Sequence, residues 1–88
     1  MILRRAAFAD LTGADLYAVL RLRTDVFVVE QACPYPELDG RDDEDGAEHL
    51  WLEDDAGPAA YVRTLAEPDG STRLGRVVTR PDARGDGL

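Results

Sequence analysis

Three alternating segments separated by two turn signals, all between residues 48 and 79, leave this chain little choice of architecture. Residues 48–53 read EHLWLE, residues 60–65 read AYVRTL and residues 72–79 read TRLGRVVT. Apolar and polar side chains alternate in each, the period of a strand with one buried face. The intervening DDAGP at 54–58 and EPDGS at 67–71 carry the Gly, Pro and Asp that tight turns require. Parallel neighbours would need a long crossover, so strands joined this closely are antiparallel, and the spacing predicts a three-stranded meander.

Upstream, ILRRAAF at 2–8 suits a first strand. Thr12 then has the chemistry of a helix N-cap, with Asp15 at the positive helix end and Leu11 and Leu16 placed to clasp the first turn. Leu16, Val19, Leu20, Val26 and Phe27 recur at three- and four-residue steps, which predicts a helix with one apolar face reaching about Glu30. VFVV at 26–29 suits a strand equally well by propensity, and continuity with the preceding helix decides for helix. From Cys33 to Gly46 two prolines and two glycines forbid regular structure and predict a long acidic loop. The order is strand, helix, long loop, three strands, glycine loop, with no internal repeat and no low-complexity linker. It describes one domain over residues 1–88, of the α/β class in its α+β form.

A chain of 88 residues has a thin core and little stability to spare. No apolar run approaches the ~20 residues of a bilayer span, and MILRRAAFAD lacks the apolar centre of a signal peptide, so the cytoplasm is the expected address. The single cysteine, Cys33, cannot form an internal disulfide, which agrees with a reducing compartment. Ten arginines, no lysine and eighteen acids give a formal charge of −8, which argues against nucleic acid and anionic membrane as partners. The charge is unevenly placed. Residues 73–88, with Arg73, Arg76, Arg80 and Arg84 against Asp82 and Asp86, carry +2, leaving −10 on residues 1–72.

That positive end coincides with a glycine loop, RPDARGDGL at 80–88. After a strand, closely spaced glycines let backbone N–H groups converge on an anion, and a following helix adds its positive end at the same point. Val77-Val78 in a strand, a Pro turn and then Arg84-Gly85-Asp86-Gly87-Leu88 resemble the acetyl-CoA pyrophosphate loop of the GNAT N-acetyltransferases. That pattern is Arg or Gln, two residues, Gly, one residue, then Gly or Ala; this chain supplies Arg84 and Gly87 and stops one residue before the final small position. LYAVLRLR at 16–23, VFVVEQ at 26–31, CPY at 33–35, LDGRD at 38–42 and HL at 49–50 look like the ElaA-like branch of that superfamily. The likeness covers nearly the whole chain, which it identifies as the N-terminal half of the GNAT fold.

The resemblance implies direct transfer of an acetyl group from acetyl-CoA to a primary amine, with no acyl-enzyme. It implies that the strand matching 74–79 splays from its neighbour, so that backbone groups at Val77 and Val78 pair with the pantetheine arm. The diphosphate would meet the amides of Gly85, Asp86, Gly87 and Leu88, with Arg84 adding charge. A base must take the proton from the attacking ammonium. Glu30, Glu48 and His49 are its candidates, because the helix end and the central strands border the acceptor cleft in this superfamily. The usual general acid, a tyrosine, lies further along the family's chain. Each assignment has a plainer counterpart: Glu30 as a helix end, Glu48 as a solvent-facing strand start, His49 as a structural histidine, Arg80 and Arg84 as charge balance for Asp82 and Asp86.

Cys33 with the one histidine could form an acyl-transfer pair, but no third orienting group is evident and the resembled family makes no covalent use of this cysteine. It is expected, with Pro34 and Tyr35, to shape the acceptor side. The acidic run fails as a calcium loop: aligning Asp43, Asp45 and Gly46 puts Arg41 at the first ligand position and Leu52 where a bidentate Glu is required. No metal is expected. The run reads as a solvated loop, with a secondary role in attracting a cationic amine. The rival to the enzyme is a non-enzymatic interaction module or degenerate remnant, in which the exposed edge of the last strand accepts a strand from a partner or from a second copy.

Overall fold

A computed structural model describes residues 1–30 and 38–83, apart from the side chains of Val28 and Glu30. Four strands form one sheet: β1 (Ile2–Ala7), β2 (Glu48–Asp54), β3 (Gly57–Ala66) and β4 (Thr72–Thr79). Their spatial order is β1-β2-β3-β4 and every neighbouring pair is antiparallel. The expected meander is present, and the first strand extends it by pairing Ala7 with Glu48 and Ile2 with Glu53.

Helix α1 (Gly13–Thr24) connects β1 to the loop that leads to β2. Thr12 stands at its N-cap in extended conformation, and its Oγ1 accepts from the Asp15 N–H at 3.0 Å, satisfying one of the unpaired donors of the first turn. Asp15 also holds Arg4 of β1 at 3.0 Å, so the helix start is fastened to the sheet. Past Thr24 the chain stays helical but widens to i→i+5 winding over Asp25–Glu30. The β-branched residues at 26–29 are therefore helical. Val26 is 2% exposed and joins Val19 and Leu22 in packing against Trp51, Tyr61 and Val78, a tertiary contact that outweighs strand propensity.

The same helix face carries an arginine. Arg23 has no exposed surface. Its Nη1 donates to Asp42 Oδ1 at 2.6 Å, and its guanidinium lies 5.6 Å from the centre of the Tyr61 ring. Asp42 comes from the acidic loop, which corrects the reading of that loop as simply solvated: Asp42 is 9% exposed, whereas Asp43 and Asp45 are exposed. The loop closes onto β3 through Gly46, at φ +80, where an added Cβ would stand 2.9 Å from the Ala66 Cβ; only glycine fits both the backbone and the space.

The two faces of the sheet differ. The inner face receives α1 and the loop. The outer face holds an apolar cleft of about 350 Å³ whose lining includes Leu3, Leu50, Leu52, Val62 and Val77. Among the described residues no helix is long and apolar enough to cross a membrane. Removing one partner of a buried ion pair costs about 3–5 kcal/mol because the other charge is left unpaired. Asp42→Ala is therefore expected to lower the unfolding free energy by that amount in urea titration, whereas Asp43→Ala, at an exposed neighbour, changes it by less than about 0.5 kcal/mol.

Candidate active site

β4 is regular except at one place. Its register pairs Val78 with Tyr61 and Gly75 with Arg63, so that Arg76 and Val77 stand opposite the single residue Val62. This is a β-bulge, with Arg76 at φ +55, a conformation that costs a side-chain-bearing residue free energy and persists only when its surroundings hold it. Bulges bend a strand, interrupt its ladder and re-aim the groups beside it. Val77 is 66% exposed while its neighbour Val78 is 3% exposed and belongs to the core. One side of the bulge is thus anchored and the other is open.

The loop before β2 holds the bulge. Asp39 Oδ2 accepts from Arg76 Nη2 at 3.3 Å and from Arg63 Nη2 at 2.8 Å. Its Oδ1 accepts from Arg63 Nη1 at 2.8 Å and from the Arg41 N–H at 3.1 Å. Arg63 Nη1 also donates to Asp42 Oδ1 at 3.1 Å. A chain of charge therefore runs from Arg23 in the core, through Asp42, Arg63 and Asp39, to Arg76 in the bulge. The guanidinium of Arg63 holds the Asp39 carboxyl well below the ordinary carboxylate range. The two aspartates act as a bracket between helix, central strand and bulge.

His49 lies inside this bracket with 1% exposure. A carbonyl can only accept, so the contact of Nε2 with the Asp42 carbonyl oxygen at 3.0 Å places the ring proton on Nε2, and Nδ1 accepts from the Tyr61 hydroxyl at 2.6 Å. Burial pushes Tyr61 up to about 12, so its hydroxyl remains a donor. Both nitrogens of His49 are engaged inside the fold. Glu48, the adjacent residue, points to the opposite face of β2, as alternation demands. There it pairs with Arg5 through a forked contact, one arm of which is 2.9 Å. That hydrogen bond, first among the causes, lowers the Glu48 carboxyl from its ordinary value.

The three candidate bases are therefore not gathered at one point. Glu48 and His49 are on opposite faces, and Glu30 ends the wide helical turn. Val77 belongs to the bulge and Val78 follows it in register with Tyr61. Arg84, Gly85, Asp86, Gly87 and Leu88 lie outside the described residues, as do Cys33, Pro34 and Tyr35. Arg80 bonds to Asp82 and, at 2.5 Å, to Asp54, so the turn after β4 is tied to the turn after β2. Sequence reasoning missed Arg23, Asp39, Asp42, Arg63 and Arg76 as a unit. For Arg23 a signal existed: it falls four residues after Val19 and three before Val26, on the apolar stripe itself.

Asp39 gives this bracket a defined pH response. Its folded pKa is depressed, so the folded state binds fewer protons than the unfolded one and the contribution to stability is present above the unfolded value of ~3.9. It is lost as pH falls below that value toward the folded pKa. The difference in unfolding free energy between the natural chain and Asp39→Asn is expected to be constant from pH 7 to about pH 5 and to shrink below about pH 4. Urea titrations of both chains across that range measure it.

Comparison with known proteins gives a consistent picture. No family model matches the chain. A UPF0039 protein of Mycobacterium tuberculosis is 49% identical over 89 residues, covering 97% of this chain and 57% of that protein. A crystal structure described as an acyl-CoA N-acyltransferase from Pseudomonas aeruginosa superposes with a TM-score of 0.91 at 45% identity, over 99% of this chain and 61% of that one. The crystal structure of Escherichia coli ElaA superposes with a TM-score of 0.92 at 33% identity, over 100% of this chain and 60% of that one. The chain spans little more than half the length of the curated relatives it matches. Its helix and four-stranded antiparallel sheet are the N-terminal part of the GNAT acyl-CoA N-acyltransferase fold, and the likeness to ElaA holds in both sequence and structure.

Proposed function

We propose that this chain supplies the acceptor-side elements and the first part of the acyl-CoA site of a GNAT-type N-acetyltransferase that acts on a primary amine. The observation that carries the reading is the bulge at Arg76 and Val77, in a fold matched at a TM-score above 0.9 to an acyl-CoA N-acyltransferase. A bulge leaves the ladder locally incomplete, and β4 is the last strand of the described sheet. Backbone groups at Val77 and Val78 are where an extended pantetheine arm would pair, as an added strand does. The residues present fit that use, because the exposed Val77 side chain offers apolar surface beside the backbone.

Acetyl-CoA, when bound, supplies an activated thioester. The chain's own part is to hold and orient. Gly85, Asp86, Gly87 and Leu88 would present amides to the diphosphate, with Arg84 adding charge. Glu30 is the base position this reading keeps first. His49 has both ring nitrogens engaged and Glu48 is held by Arg5, so His49 serves the reading better as a positioning residue beneath Asp42. The single cysteine supports a reducing, cytoplasmic setting.

Calorimetric titration of the folded chain with acetyl-CoA tests the proposal, and absence of binding at millimolar ligand would sink it for these residues. Arg84→Glu is expected to weaken acetyl-CoA binding by about tenfold or more, in line with loss of a charge-assisted contact; unchanged affinity removes Arg84 from the site. A second reading rests on the outer edge of β4, where Leu74 is 65% exposed and Val77 66% exposed. An edge with apolar side chains can accept a strand from another chain. Association that rises with concentration and is abolished by Val77→Lys, without acetyl-CoA binding, would favour that interaction module.

A further inference from the structure

A second cavity, of about 280 Å³, lies on the inner face of β3 and β4, against the loop at Asp39 and Arg41. Register fixes which side chains share it. Arg63 is opposite Gly75 and Leu65 is opposite Arg73, and directly opposed residues project to the same face. Arg73 therefore rises beside Arg63, with Gly75 between Arg73 and Arg76 along β4. A Cβ added at Gly75 would meet nothing within 4 Å, so the floor of the cavity is open space above a glycine.

The charge of this cavity runs against that of the chain. Arg41, Arg63, Arg73 and Arg76 all line it, and among the described residues Asp39 is the one acid in its lining. Asp39 is bonded to Arg63 and Arg76, while Arg41 forks onto Glu44 at 2.8 Å and reaches Glu67 at 3.1 Å. Arg73 differs from these: it is exposed, and among the described residues its side chain has no acidic partner. In a chain of net charge −8, an arginine exposed at the mouth of a pocket walled by three more is a place for an anion.

We infer that the pocket bounded by Arg41, Arg63, Arg73, Gly75 and Arg76 receives an oxyanion borne by the acceptor, so that the acceptor is an amino acid or another amine carrying a carboxylate or phosphate. The inference rests on the function proposed above, and it names the substrate class that reading leaves open. Guanidiniums match planar carboxylates and phosphates through paired N–H donors. Position supports the assignment. Gly75 and Val78 stand opposite Arg63 and Tyr61, two residues apart on β3, so at ~3.3 Å per residue the step between them is about 7 Å, the reach of a short aliphatic chain between an anion and an amine. Among the described residues at this pocket a polyamine finds no open carboxylate, because Asp39, Asp42 and Glu44, which would draw it, are already bonded to arginines. The loop's carboxylates on this wall are thus engaged and do not make it a cation trap.

The test uses the natural chain, with 6-aminohexanoate and cadaverine as probes of similar length that differ in bearing a carboxylate or a second amine. Binding is followed by calorimetry and by the amide NMR signals of Gly75 and Arg76. The natural chain is expected to bind 6-aminohexanoate at least about tenfold more tightly than cadaverine. Arg73→Gln, at an exposed position, should remove most of that preference while leaving acetyl-CoA affinity and the folded NMR spectrum unchanged, since a hydrogen bond to a charged group accounts for about a factor of ten. Equal or reversed preference, no binding of 6-aminohexanoate by folded chain, or an Arg73→Gln variant with unaltered preference would overturn the site. Competition by coenzyme A would overturn it too, by assigning the pocket to the phosphates of the co-substrate. The two readings fail separately: 6-aminohexanoate binding without acetyl-CoA binding retains the pocket and removes the acyltransferase, and acetyl-CoA binding with a preference for cadaverine does the reverse.

Discussion

A guanidinium with no exposed surface, in a domain this small, is the constraint around which the rest of the structure is arranged. Arg23 sits on the inner face of α1 among Val19, Leu22 and Val26, where an unpaired charge would be prohibitively costly. Asp42 neutralises it at 2.6 Å, and that requirement dictates the path of the acidic loop, which must turn back under the sheet. The loop then has a buried carbonyl of its own to satisfy. His49 does so, and its second nitrogen in turn satisfies the Tyr61 hydroxyl. From Arg23 through Asp42 and His49 to Tyr61 each group bonds to the next, the kind of linkage by which a polar network rigidifies a core, although the buried Nε of Arg63 has no hydrogen-bond partner among the described residues.

The same network reaches the place where β4 changes its geometry. Arg63 is shared between Asp42 and Asp39, and Asp39 extends the bracket to Arg76. The positive φ of Arg76 is thus held by a contact to a loop that is itself held by a buried ion pair. The arrangement gives a physical reason for a charged interior: an apolar substitute for Arg23 and Asp42 would fill the space but would not fix where Asp39 stands. Function, on the reading advanced here, belongs to the outer end of this chain of contacts, where the bulge opens β4 to an acyl donor and the arginine pocket adjoins it on the inner face.

The meander and its turns were legible because they depend on local chemistry. Alternation at 48–53 and 60–65 and the glycines and prolines between them need no knowledge of the rest of the chain. The cap at Thr12 was legible for the same reason. VFVV at 26–29 was ambiguous in sequence and became helical because Val26 has a core to enter. The acidic loop was read as solvated, which holds for Asp43 and Asp45 but not for the buried Asp42, since acids in a turn-rich segment are usually hydrated and nothing local distinguishes Asp42 from its exposed neighbour Asp43. Likewise His49 and Glu48, adjacent and both polar, fall on opposite faces, and only the partners Tyr61 and Arg5 give each its role.

The sequence by itself determined the order of strands and helix, the antiparallel pairing of the last three strands, and the match of its motifs to the ElaA-like acyltransferases, because periodicity, turn chemistry and motif spacing are properties of neighbouring residues. The tertiary structure alone decided that Arg23 is buried, that Asp39 and Asp42 clamp it to Arg63 and to the bulge, and that Arg73 is left facing an open pocket. Those contacts join residues 19 to 37 positions apart. A charge acquires its meaning from the dielectric and the partners around it, and both exist only once the chain has closed on itself.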